Sequence, residues 1–149
     1  MTMKKRTIIG RLENINLPEL AINELTVRVD TGAQTSSLHV DNIEQIMVNK
    51  KPFVVFDIHP QIHDVDKVVR CKAPLHDIRK IKSSNGSSEQ RYVIKTKAAL
   101  GDLEWDIEIT LTDRSDMTYL MLLGREAMGK HFYVDPAHTF VASGNNSDV

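Results

Sequence analysis

Short stretches of alternating apolar and polar residues dominate the chain. Leu25, Val27 and Val29 alternate with Thr26, Arg28 and Asp30. This period of two predicts a half-buried strand with Asp30 on the face opposite the apolar triplet. Trp105, Ile107, Ile109 and Leu111 alternate with Asp106, Glu108 and Thr110 in the same manner, as do Tyr92, Ile94 and Thr96 with Arg91, Val93 and Lys95. The continuous runs Pro52-Phe53-Val54-Val55-Phe56 and Tyr119-Leu120-Met121-Leu122-Leu123 predict strands covered on both faces. Only residues 125–130 look helical, and Gly129 predicts an early stop.

Between strand-like flanks lies Ser83-Ser84-Asn85-Gly86-Ser87-Ser88, whose Asn85-Gly86 pair predicts a hairpin turn. Residues 143–149 predict a flexible polar tail with nothing to pack, leaving 1–142 as a single domain without repeats or linkers. The expected class is mainly β, with one short helix near the C-terminus.

At 149 residues the chain is long enough for one domain that buries about two-thirds of its unfolded surface, but too short for two lobes. A formal net charge of -1 argues against a field that draws in nucleic acid. Cys71 is the only cysteine, which excludes an intrachain disulfide and fits a reducing compartment. The basic start, Lys4-Lys5-Arg6, is not followed by an apolar segment, because Glu13, Asn14 and Asn16 interrupt it. With no stretch long enough for a membrane helix, the expectation is a soluble cytoplasmic protein.

Candidate chemistry centres on Val29-Asp30-Thr31-Gly32-Ala33. Peptide hydrolysis by carboxylates uses two aspartates that share one proton around a water, one as general base and one as general acid. Here Asp30 would be the carboxylate. Thr31 would bond to neighbouring backbone, Gly32 would permit a tight turn and bring its N–H to the carboxylate, and Ala33 would keep the site uncrowded. The same tripeptide can equally close a hairpin with no chemistry attached. Far downstream, Met121-Leu122-Leu123-Gly124-Arg125 offers an apolar strand, a glycine and a helix start that could support such a loop.

The two strings together resemble the retropepsin pattern, with one catalytic aspartate per chain. More closely, the chain resembles the bacterial RimB-type retropepsin-like family, long labelled ATP-dependent zinc proteases. The match is carried by Leu17-Pro18-Glu19-Leu20, Ser37-Leu38-His39, Cys71-Lys72-Ala73-Pro74, Lys82-Ser83-Ser84-Asn85-Gly86, Trp105, Leu111-Thr112 and Val134-Asp135-Pro136, besides the two strings above. The resemblance implies a retropepsin-like acid-protease barrel, with Asp30, Thr31 and Gly32 catalytic. Ala33, Leu122, Leu123, Gly124 and Arg125 would be supporting. It also implies a homodimer that joins two copies of Asp30, and a flap formed by the loop at 83–88.

Two positions depart from the retropepsin pattern. Glu126 stands where retropepsins generally carry Asp or Asn, and the flap holds a single glycine, Gly86. A non-catalytic binding module on the peptidase fold, holding a ligase or an acidic tail, is therefore the alternative reading. Neither zinc nor ATP is expected despite the family label: there is no Gly-Lys-Ser/Thr phosphate loop and no His-Glu-x-x-His. His59 with His63, and Cys71 with His76, lack partners at metal-site spacing.

RimB-type proteins are associated with a ligase that adds glutamates, which implies a glutamate-rich peptide or poly-glutamate-tailed substrate. The basic residues Arg79, Lys80, Lys82 and Arg91 could attract such a peptide over the cleft, or could simply solvate an edge strand. Ser84, Asn85 and Gly86 would reach substrate from the flap. His39 either lines the cleft or is an ordinary strand histidine.

Overall fold

The alternating segments fold as strands, and the computed structural model describes residues 6–59, 67–82, 86–113 and 118–143. Its strands are β1 (Thr7–Ile9), β2 (Leu12–Leu17), β3 (Ile22–Val29), β4 (Ser36–His39), β5 (Asp41–Val48) and β6 (Lys51–Ile58). They continue with β7 (Val69–Lys82), β8 (Ser88–Leu100), β9 (Leu103–Thr112), β10 (Met121–Leu123) and β11 (Phe132–Val134). Helix α1 (Arg125–Met128) is shorter than the sequence predicts, and it ends at Gly129, whose φ of 41° suits glycine. A 3-10 turn, Pro18–Leu20, links β2 to β3; proline at its first position has no N–H to leave unpaired.

Nine strands form one sheet in the order β2-β3-β10-β4-β9-β8-β7-β6-β5, and a β2–β8 pairing at Asn16 and Ala99 closes its first six strands into a barrel. Glu19 braces that seam by accepting the Lys97 N–H at 3.0 Å and the Thr96 hydroxyl at 3.3 Å. The fold is thus the mainly β acid-protease barrel with one short helix. Ile15, Leu17, Leu38, Ile94, Ile109 and Met121 are among the fully enclosed side chains of its core. Each contributes about 1.5–3 kcal/mol by leaving water.

β7 divides its pairing. Its residues 69–74 pair with β6 and its later residues with β8, with an irregularity between Leu75 and Asp77. β5, β6 and the first half of β7 therefore extend the sheet beyond the barrel as an arm, one face of which joins the barrel's core. For this reason β6 is not covered on both faces as its apolar run predicts: Val54, Phe56 and Ile58 are buried, whereas Phe53 and Val55 are only half-buried. The run at 119–123 is similarly corrected. Only Met121–Leu123 is strand, with Leu122 half-buried between two enclosed neighbours.

Ser143 is not part of a loose tail. Its hydroxyl donates to Glu13 Oε1 at 2.6 Å and accepts the Asn14 N–H at 2.9 Å. Glu13 itself is fully buried and also accepts the N–H groups of Gly10 (2.6 Å), Val141 (2.9 Å), Ala142 (3.2 Å) and Ser143 (2.9 Å). Burial pushes the Glu13 carboxyl up, but the bonds from Gly10, Ser143 and Ala142 outweigh it and hold the group below its ordinary range. The remainder of the expected tail lies outside the described residues.

Candidate active site

Asp30 stands at the end of β3, where the chain leaves the barrel in a tight turn. Its N–H donates to Leu123 O at 2.9 Å, and its own carbonyl accepts the Ala33 N–H at 3.2 Å. The Gly32 N–H donates to Asp30 Oδ1 at 3.0 Å, as the sequence predicts. Among the described residues Oδ2 accepts no hydrogen bond. One carboxylate oxygen is therefore held by the turn, while the other is left for a water or a partner. A Cβ on Gly32 would sit 3.3 Å from Oδ1, so glycine keeps this approach open.

The support strand is where the downstream string predicts. β10 lies between β3 and β4, parallel to the first (Leu122 opposite Arg28, Leu123 opposite Val29) and antiparallel to the second (Leu122 opposite Ser37). Two consecutive strands and their loop thus straddle a third that comes much later. Arg125 ties the loop twice, through its N–H to Ala33 O at 2.8 Å and its Nη1 to Gly32 O at 3.2 Å. The Glu126 N–H adds a bond to Gln34 O at 3.1 Å. Thr31 does not do the bracing expected of it: it is exposed, and among the described residues its side chain makes no hydrogen bond.

Gly124 is required by close approach. A Cβ there would lie 2.5 Å from Thr35 C and 2.6 Å from Thr35 O, both backbone atoms. Gly124→Ala should therefore force the Asp30 loop off β10 and cost about 3 kcal/mol or more. A chemical denaturation midpoint within error of the parent would refute this.

Other sequence candidates are not assembled around Asp30. His39 N–H bonds Leu120 O, at the end of β10 away from Leu123 and Asp30. Its ring instead looks toward Asp41 (Nε2 to Oδ1, 4.0 Å), which also contacts His59 at 3.0 Å. It belongs to the root of the arm and does not line a cleft with Asp30.

The basic group is largely neutralised. Arg79 bonds Glu108 at 2.6 Å and Asp77 at 3.0 Å, and Arg91, its cross-strand neighbour, bonds Glu89 at 3.0 Å. The Arg79 guanidinium accordingly holds the Glu108 and Asp77 carboxyls below their ordinary range. Lys80 is exposed. Lys82 is the last residue of β7, opposite Ser88. Gly86 lies between β7 and β8, whereas Ser84 and Asn85 lie outside the described residues. The expected hairpin is present, since β7 and β8 are antiparallel neighbours.

Sequence reasoning did not single out Ser36 or Thr110, which are buried beside the loop. It also missed a polar cavity of about 270 Å³ lined by Thr35, Ser36, Lys95, Asp106, Glu108 and Glu126, among others. Asp30 does not line that cavity. Among the described residues no three His, Cys, Asp or Glu side chains are grouped to hold a metal ion, and no helix is long and apolar enough to cross a membrane.

The loop, its support strand and the closed barrel define an aspartic-protease-like fold. The family model described as "Retropepsin-like aspartic endopeptidase RimB" matches residues 8–145, and the chain belongs to this RimB-like family. It is also 45% identical over 133 residues to a Shewanella pealeana protein described as "Probable alpha-L-glutamate ligase", covering 89% of this chain and 29% of that one. A Desulfotalea psychrophila protein of the same description is 46% identical over 132 residues, covering 89% and 28%. The chain thus spans less than a third of the curated relatives it matches. A crystal structure of a Legionella pneumophila protein of unknown function superposes with a TM-score of 0.77 at 29% identity, over 93% of this chain and 99% of that one.

Proposed function

We propose that this chain is one subunit of an aspartic endopeptidase of retropepsin type. In a homodimer, Asp30 from each copy would share a proton and a water, one as base and the other as acid. The observation that carries the reading is the half-held carboxylate of Asp30: a rigid turn fixes Oδ1 while Oδ2 stays unclaimed. A lone chain leaves Thr31 and Gly32 exposed and Asp30 half-buried, as half of a two-fold site would. Gly32, Ala33 and Arg125 hold the loop, and the β7–β8 hairpin covers the substrate.

Glutamate-rich peptides are the proposed substrates. The relatives are described as probable alpha-L-glutamate ligases, and Lys80 on β7 offers an exposed cation where the hairpin would meet an acidic peptide. Incubation with poly-glutamate and with neutral peptides of equal length tests this, with preferential cleavage of poly-glutamate expected. Equal cleavage of both would remove the substrate assignment, and cleavage of neither would remove the peptidase.

The second reading is a non-catalytic module that binds a ligase or an acidic tail. It draws on the fact that the matching segment in those relatives sits within a much longer chain described as a ligase. Tight binding of poly-glutamate by a monomer, without cleavage, would favour it.

A further inference from the structure

We propose that Ser36 is a positioning residue for Asp30, acting through the Gly124 amide. The inference rests on the peptidase reading for its catalytic consequence, and on geometry alone for its structural half. Ser36 is 1% exposed, at the first position of β4. Its Oγ accepts the Gly124 N–H at 3.0 Å, in a buried contact between the far end of the Asp30 loop and the end of β10. One residue earlier, Leu123 O receives the Asp30 N–H at 2.9 Å. The two bonds therefore grip one peptide unit of β10 from both ends of the loop.

The other ties between loop and support use backbone groups or the exposed Arg125 side chain, which water can replace. The Ser36 bond differs in that its side chain and the amide it accepts are both buried. Removing the hydroxyl leaves the Gly124 N–H buried without an acceptor, and the strand answers by shifting away. Leu123 then moves, and Asp30 with it.

A second hydroxyl supports the first. Thr110 on β9 donates to Ser36 O at 3.1 Å, also within the interior. β4 pairs with β9 through this same region, with Ser36 opposite Ile109 and Ser37 opposite Thr110. The chain Thr110, Ser36, Gly124, Leu123, Asp30 thus runs from the barrel wall to the Asp30 backbone without a solvent-exposed step before it.

The test compares the parent with Ser36→Ala, Ser36→Thr and Thr110→Val on a cleaved peptide, together with amide hydrogen exchange. Ser36→Ala should lower kcat about ten- to a hundredfold while KM moves by less than about threefold, because orientation and not ground-state binding is lost. Ser36→Thr, which keeps the hydroxyl, should restore kcat to within about threefold of the parent. Thr110→Val should give a smaller loss in the same direction.

Two carboxylates held close share one proton over a wide pH range, so their apparent ionisations lie far apart. A loosened loop lets them separate, and the pH bell of kcat/KM should narrow on both limbs in Ser36→Ala. General destabilisation would lower activity without narrowing it. The Asp30 and Gly124 amides should exchange at least about tenfold faster, with those of β8 unchanged. Unchanged kcat and bell width, or parent-like exchange at both amides, would overturn the proposal. If the parent hydrolyses no peptide, the peptidase reading is what falls, and the exchange data alone decide whether Ser36 sets the loop.

Discussion

Asp30→Asn is expected to leave the fold intact and to lower kcat at least about a thousandfold, the scale of a lost acid–base group. The substitution is nearly isosteric, and the amide oxygen can still accept the Gly32 N–H that Oδ1 accepts now. The turn should therefore persist, with an unchanged melting temperature. What disappears is the ability to hold and pass a proton. Mixing makes the result more decisive. When parent and variant chains are combined in equal amounts and allowed to exchange, random pairing leaves about a quarter of the dimers with two intact aspartates, whereas independent chains would retain about half of the activity. A mixture at half activity would exclude a shared pair even if the variant alone were inert.

The second large effect is expected at Glu13→Gln, as a loss of about 3 kcal/mol or more in unfolding free energy. The parent carboxylate offers two oxygens to donors on Gly10, Val141, Ala142 and Ser143. Glutamine supplies one acceptor and turns its NH₂ against some of those donors. The pH dependence has a definite sign. The folded carboxyl is held below its ordinary value of 4.5, so its contribution is complete above that value and is lost as pH falls through the lower, folded-state value. Glutamine does not titrate there. The gap between parent and variant should therefore close on acidification, and a constant gap between pH 7 and pH 3 would contradict the assignment.

The same residue explains where sequence reading stopped. β2 alternates as cleanly as β3, but its inward positions are Glu13, Ile15 and Leu17. A carboxylate at a core position looks like an interruption, and all its partners but Gly10 lie 128 to 130 residues away. The strands at β3, β8 and β9 were legible because their inward residues are mostly aliphatic. Within the site, Asp30, Gly32 and Gly124 were legible from local motif chemistry. Ser36 was not, since a serine in Gln34-Thr35-Ser36-Ser37 carries no pattern until β10 is set against it. Arg79 and Arg91 misled for the converse reason: a cluster of cations in sequence does not reveal the carboxylates that a sheet brings alongside.

The placement of β10 between β3 and β4 also dictates an order of events in time. β3 and β4 are neighbours in sequence, yet they must remain apart until a strand arrives whose Arg125 neighbour is 93 positions beyond Gly32. Closing so long a loop is slow compared with forming the β7–β8 or β8–β9 hairpins. The topology therefore lets the hairpins of the barrel wall form before the Asp30 loop gains its support strand. On this topology, fixing the Asp30 loop is among the last steps open to the folding chain.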